Sequence, residues 1–349
     1  MLRNLFNNNT SCRLPAEWEA QWGVQLTWPH EGTDWAPYLT EIEQTFVQLA
    51  EVITQEECLI VVAQDTTRPQ KLLSHLRKDR IFWVECPTND TWARDHGPII
   101  LCGPIPIAYD YRFNGWGKKF PSDKDNRITK AIVEQLKLSM MRVGKNYFVL
   151  EGGSIESDGR GTILTTSRCL LEPHRNPQLL KKEIEDQLLN DLYAERVLWL
   201  QHGMLVGDDT DGHIDTLARF APNDTILYVA CDDASDVHYD ELKAMENELR
   251  AFKTTQGTPY LLRPLPLPDP VFYDGERLPA TYANFLVINN VVICPTYGQP
   301  DKDREALRII GEAFPGRRLV PIDATVIVRQ HGSIHCLTMQ YPADTAPFI

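Results

Sequence analysis

The chain has 349 residues, 43% apolar and 24% charged, enough to bury a core without disulfides. Its net charge of −13, from 35 basic and 48 acidic residues, argues against nucleic acid or an anionic membrane as partner and favours a cationic ligand. No stretch reaches the roughly 18 apolar residues of a membrane span, the N-terminus lacks the apolar run of a secretory signal, and the eight cysteines form no C-x-x-C pair, so a cytoplasmic protein with reduced thiols is expected.

In chain order, 38–54 carries apolar residues at helical spacing. CLIVVA (58–63) and RIFWVEC (80–86) are continuous apolar runs that read as buried strands. Segment 98–113 reads as two strands around a Gly-Pro turn, and 128–140 as a helix. Segment 154–166 is a hairpin with Asp-Gly at its tip, and 177–193 a helix. The hairpin at 216–230 turns at Pro-Asn-Asp and is followed by a helix at 239–252. A third hairpin, 283–298, turns at Asn-Asn and precedes a helix at 302–314. The β-branched stretch 324–340 closes the chain as further strand. Hairpins recur roughly every 50–70 residues, a period that signals repeat architecture. The reading is a single α/β domain, 1–349, of five ββαβ units around an axis. A doubly wound sheet with a second domain is the alternative.

Polar residues cluster where these strands begin and end. NDTWARDHGPI (89–99) offers Asp90, Trp92, Arg94, Asp95 and His96. YRFNGWGKKF (111–120) adds Asn114 and Trp116. FVLEGGSIE (148–156) places Glu151 before Gly152 and Gly153. GDDTDGHIDTLARF (207–220) sets His213 and Asp215 two apart, on one face if the segment is a strand. RQHGSIHCLTMQYP (329–342) holds His331, Gly332, Ser333, His335 and Cys336. Two histidines four apart suit zinc only on a helix, which the β-branched residues and the Gly-Ser step disfavour. Composition and spacing leave Cys336 between a small core residue and a nucleophile. A nucleophilic thiol needs a base, which His213 could supply. The surrounding carboxylates are surplus for acyl transfer, whose oxyanion wants donors, but they suit a guanidinium, which pairs with carboxylates through two N–H groups at once.

These motifs resemble the agmatine deiminase and Porphyromonas-type peptidylarginine deiminase family of guanidino-modifying enzymes. LPAEWE, TWARDHGP, FNGWG, EGGSIESDG, GHIDTLARF and IHCLT follow one another in family order between residues 14 and 342. The resemblance implies a five-bladed α/β-propeller with an axial active site. It implies Cys336 as nucleophile, His213 as general acid and base, and Asp95, Asp215 and Glu151 as catalytic carboxylates around the guanidinium. Trp92 and Trp116 would lie against the substrate, with Gly153, Gly332 and Ser333 shaping its site. No metal or organic cofactor is implied. The partner is a small cationic guanidine, agmatine first, with peptidyl-arginine or another small guanidine as runner-up. A homo-oligomer is compatible with this reading. Arg94 is read as a buried structural ion pair, and His335, next to Cys336, as structural. The family's GGGNIHC reads RQHGSIHC here and its NRNP reads PHRNP, departures that bear on the substrate.

Overall fold

The computed structural model describes residues 12–347. Five small sheets share one plan. In each, two strands pair antiparallel and the second continues through a helix to a third strand that pairs parallel. Four of them run in sequence: Ile99–Leu101, Ile107–Arg112 and Met141–Val149; Ile155–Ser157, Thr162–Thr166 and Arg196–Leu200; Ala218–Ala221, Thr225–Ala230 and Leu261–Pro266; Leu286–Val287, Val291–Thr296 and Arg318–Asp323. The intervening helices are Ile128–Leu136, Lys181–Asp191, Tyr239–Ala251 and Pro300–Ala313. The fifth sheet joins the two ends of the chain: Thr338–Pro342 pairs antiparallel with Gln21–Thr27, which leads through Leu39–Glu56 to Cys58–Ala63, with Ile81–Glu85 added outside.

Helix Leu39–Glu56 shows why these units pack. Ile42, Phe46, Leu49 and Ile53 recur at helical spacing and are each 0% exposed, against Val24, Leu26, Leu59 and Val61 of the neighbouring strands. Full burial of each such side chain contributes about 1.5–3 kcal/mol. All eight cysteines are free, and no helix among the described residues is long and apolar enough to cross a membrane.

Two expectations need correction. Segment 324–340 is not a strand: a 3-10 turn spans Ile327–Gln330, His331 takes a left-handed φ of 65°, and strand begins only at Thr338. The Gly-Ser step and the hydrogen bonds that turn the chain after it outweigh the β-branched run. The helix expected over 128–140 ends at Leu136, because Lys137 adopts φ 51° and caps it. The doubly wound alternative also fails, since the strands form separate sheets rather than one.

Candidate active site

The polar motifs occupy equivalent places in the five units, on the short turn just before the first strand of each sheet. Asp95 lies in the turn Ala93–His96, ahead of Ile99; Glu151 precedes the turn Gly152–Ser154, ahead of Ile155; and His213 caps the turn Ile214–Thr216, ahead of Ala218. Asn284 precedes Leu286, and Cys336 precedes Thr338. The turns Ala93–His96 and Ile214–Thr216 both pack against the turn Gly152–Ser154. His213 and Asp215 are therefore neighbours on a 3-10 turn, not on a strand as expected.

Cys336 is 3% exposed at the bottom of a cavity of ≈ 430 Å³, counted with its open mouth. Its N–H donates to Asn284 Oδ1 at 3.2 Å, and its Sγ lies 3.7 Å from Asp215 Oδ2. Asn284 also donates to the Asp215 carbonyl at 3.3 Å, tying the two turns together. His213 Nδ1 is 3.6 Å from Asp95 Oδ1 and its Nε2 4.0 Å from Glu151 Oε2. Asp95 is held on both oxygens, by the Gly153 N–H at 3.1 Å and by Trp116 Nε1 at 2.9 Å. Asp215 Oδ1 is buried without a hydrogen-bond partner among the described residues. Unpaired buried polar atoms are costly, and here a donor-rich cation fits beside Asp215.

Burial would depress the His213 imidazole, but Asp95, Cys169 and Glu151 outweigh it and raise it to about 10. Burial pushes Asp95 up to about 6, against the pull of His213. Burial would also raise Asp215, yet the hydrogen bond from His335 holds it below the usual carboxylate range. The Cys336 thiol is pushed well up by burial and by Asp215 and Asp95. The site thus rests with a protonated thiol and an imidazolium, and a second cation entering between the carboxylates favours the thiolate.

Trp92 lines the cavity, donates from Nε1 to Asp90 Oδ2 at 3.1 Å and packs on Trp35 at 5.7 Å between ring centroids. Trp116 also lines it, at a left-handed φ of 53° that a bulky residue rarely adopts. That conformation aims its Nε1 at Asp95, so it grips a carboxylate as well as forming a wall. Gly332 has to be small: a Cβ there would lie 2.2 Å from the Trp92 ring. Gly153 is hemmed in by the reacting groups themselves, its Cβ falling 2.6 Å from His213 Nδ1, 2.8 Å from Asp95 Oδ1 and 3.2 Å from Asp215 Oδ2. Gly153 has no positive φ, so Gly153→Ala adds no backbone strain and its clash falls on the side chains of the site. The variant should lose on the order of 100-fold in kcat/KM, the scale of an ångström of misplacement. Steady-state kinetics beside a thermal melt checks this.

Ser333 departs from expectation. It is absent from the cavity wall, and its hydroxyl bonds the Tyr297 hydroxyl at 3.2 Å instead. Arg94 is buried but is held by the Gln340 side chain and the His335 carbonyl at 3.4 Å rather than by an ion pair. His96 is buried against Phe113, while His331 lines the mouth, bonded to the Gly207 carbonyl at 2.6 Å.

Sequence reasoning missed Arg175, Cys169 and Asn284. Arg175 Nε lies 3.0 Å from both Glu151 oxygens and its Nη1 2.7 Å from Asp211, so it fixes the carboxylate behind His213. It sits in PHRNP, far from Glu151 in sequence, and only the fold reveals the pair. Asn284 was findable, because TYANF occupies the same place in its unit as EGGSI and GHIDT do in theirs. Glu151, Cys169 and His213 put ligand-type atoms within 4.8 Å of one another. Arg175 already engages both Glu151 oxygens, and a divalent ion would sit beside that guanidinium, so we assign no metal to the cluster.

Known proteins carry the same chain layout. A solved structure from Porphyromonas gingivalis, provisionally named an arginine deiminase, is 48% identical with a TM-score of 0.91, covering 96% of this chain and 100% of that one. The agmatine deiminase of C. jejuni, solved as a cysteine-to-serine form with substrate bound, is 36% identical with a TM-score of 0.89, covering 97% and 98%. The agmatine deiminase of Stutzerimonas stutzeri is 33% identical over 96% of each chain. The sequence pattern of the Porphyromonas-type peptidyl-arginine deiminases matches residues 13–342, and the chain belongs to that family.

Proposed function

We propose that this guanidino-group hydrolase deiminates a small guanidine carrying a distal amine, agmatine foremost, releasing ammonia and N-carbamoylputrescine for putrescine synthesis. One observation carries the choice of substrate. Among the described residues, the cavity wall bears Asp34, Asp90, Asp95 and Asp209 but no lysine or arginine. A distal ammonium meets carboxylates there, whereas the α-carboxylate of free arginine meets no cation. The five sheets are taken as the blades of an α/β-propeller forming one domain, with the site on its axis. The pairing of the chain's two ends and the repeated place of the polar turns support this.

In this reading Asp95 and Asp215 accept N–H groups of the guanidinium, and Trp92 stacks on its tail. The bound cation lowers the thiol pKa, the Cys336 proton passes to solvent, and the thiolate attacks the guanidinium carbon. His213, as imidazolium, protonates departing ammonia and leaves an S-alkylthiouronium. The neutral imidazole then takes a proton from water, hydroxide adds to the same carbon, and the urea carbonyl forms as the C–S bond breaks and the hydroxyl proton returns to sulfur, restoring the thiol. Glu151, fixed by Arg175, holds His213 in its charged form.

The test is ammonia release from purified protein with agmatine, free arginine and an arginine-containing peptide. Agmatine is expected to exceed arginine by at least about 100-fold in kcat/KM, the value of a misplaced or unpaired buried charge. The family also favours a second reading, peptidyl-arginine, and faster turnover of the peptide would establish it and overturn the first.

A further inference from the structure

Behind the nucleophile lies a buried polar chain that the reaction itself does not touch. His335, 2% exposed, places Nδ1 2.8 Å from Asp215 Oδ2 and Nε2 2.9 Å from Glu17 Oε2, with Arg219 Nη2 at 3.2 Å from Nε2. Arg219, 1% exposed, is anchored by Glu156 at 3.0 Å, by Glu17, and by the carbonyls of Ala283 and Phe285 at 3.1 and 2.7 Å. Glu17 also accepts the Val287 N–H at 2.7 Å. The imidazole is therefore fixed from its far side by Glu17 and Arg219, which residues distant in the chain anchor in turn.

An ionised carboxylate only accepts hydrogen bonds. Asp215 is the partner of Nδ1 among the described residues, so Nδ1 carries a proton whether the ring is neutral or charged. The other side of Asp215 is unfinished: Oδ2 lies 3.7 Å from Cys336 Sγ, and Oδ1 is buried with no donor among the described residues. Consecutive residues on one turn thus serve opposite sides, the thiol facing the cavity and the imidazole gripping the carboxylate beside it.

We infer that His335 is a positioning residue for deimination: its Nδ1–H fixes Asp215 beside Cys336 and leaves Oδ1 to accept an N–H of the guanidinium. The inference rests on the reading of Asp215 as a substrate-binding carboxylate. The rival is that His335 only fills the core. A separate cavity of ≈ 700 Å³, lined by Glu17, Arg94, Glu156, His335 and Gln340 among others, borders the ring, so a smaller side chain there has room to be accommodated.

Two amides separate the rivals. The amide nitrogen of asparagine falls near the position of Nδ1, and that of glutamine near Nε2. His335→Asn should keep kcat/KM within about fivefold of wild type. His335→Gln should lose on the order of 30- to 100-fold, the value of a hydrogen bond to a charged group. In His335→Gln the acid side of the kcat/KM profile, set in the wild type by Asp95 at about 6, should also steepen as Asp215 begins to titrate beside it. Asp215, still facing Asp95, Cys336, His213 and Arg219, loses the donor that favours its ionised form. Equal activity of the two variants, or losses that track their melting temperatures with the acid side of the profile unchanged in slope, overturns the inference. On wild-type protein, proton NMR should show a low-field imidazole N–H resonance that vanishes in His335→Gln and in Asp215→Asn; its absence also overturns the inference, whether or not the glutamine variant folds. Asp215→Asn with unchanged KM and kcat instead removes the reading of Asp215, and this inference with it.

Discussion

Cys336→Ser is expected to lower turnover of the guanidine by roughly four to six orders of magnitude, the scale on which removal of a covalent nucleophile acts. The oxygen is close in size to sulfur, so the turn, the Asn284 hydrogen bond to the backbone N–H and the neighbouring carboxylates stay in place. What changes is acidity. A cation between Asp95 and Asp215 can draw a thiol down from its raised value to a reactive thiolate, but it cannot do so for an aliphatic hydroxyl. Affinity should therefore survive while chemistry stops. Titration calorimetry on the serine variant should give a dissociation constant near that of the wild-type Michaelis complex, with no ammonia released over hours. A variant that retained more than about one hundredth of the activity would exclude Cys336 as the covalent nucleophile. An electrophile carrying an amidinium, such as 2-chloroacetamidine, sharpens the result. It should inactivate the wild type stoichiometrically and faster than neutral 2-chloroacetamide, because its own charge replaces that of the substrate between the carboxylates. The serine variant should be inert to it.

The hairpins were legible because turn chemistry is local. Asp-Gly near 158, Asn-Asp near 223 and Asn-Asn near 289 each connect the strands expected of them. Asn223 and Asp224 show the left-handed φ, 60° and 54°, that such turns require. The helices were legible because their apolar faces are periodic. The closing of the fifth sheet by the chain's two ends was not legible, since nothing local in Gln21–Thr27 says that its partner is Thr338–Pro342, more than 300 residues away. The same divide runs through the site. Cys336, His213, Asp95 and Glu151 stand beside glycines and strand starts, where sequence marks them. Arg175 and Glu17 act by reaching residues remote in sequence, and a lone buried arginine or glutamate carries no local signature. Trp116 was expected as a stacking wall. Its hydrogen bond to Asp95 arises from a backbone kink at Trp116–Gly117 that FNGWG hints at only through its glycines.

His213→Gln is expected to reduce kcat by about 10³-fold, within the range for loss of a general acid and base, and to alter the pH profile in a way that identifies the group. The imidazole is raised to about 10, so in the free enzyme it holds the proton that ammonia needs throughout the neutral range. The kcat/KM of the wild type should therefore fall only as pH rises through about 10, and that limb should be missing from the variant. The acid limb near 6 belongs to Asp95, which must be ionised to accept guanidinium N–H groups. It should persist in the variant, moved upward because the imidazolium that assists ionisation is gone. Stability carries the same signature with a definite sign. A histidine at about 6.5 in the unfolded chain and about 10 in the folded one contributes its full stabilisation below pH 6.5, and that contribution is lost as pH rises through 10. The melting temperatures of wild type and His213→Gln should therefore converge between pH 6.5 and 10. A constant difference across that window would mean that His213 is neutral in the resting enzyme. The proton for the leaving ammonia would then have to come from the Cys336 thiol as sulfur attacks.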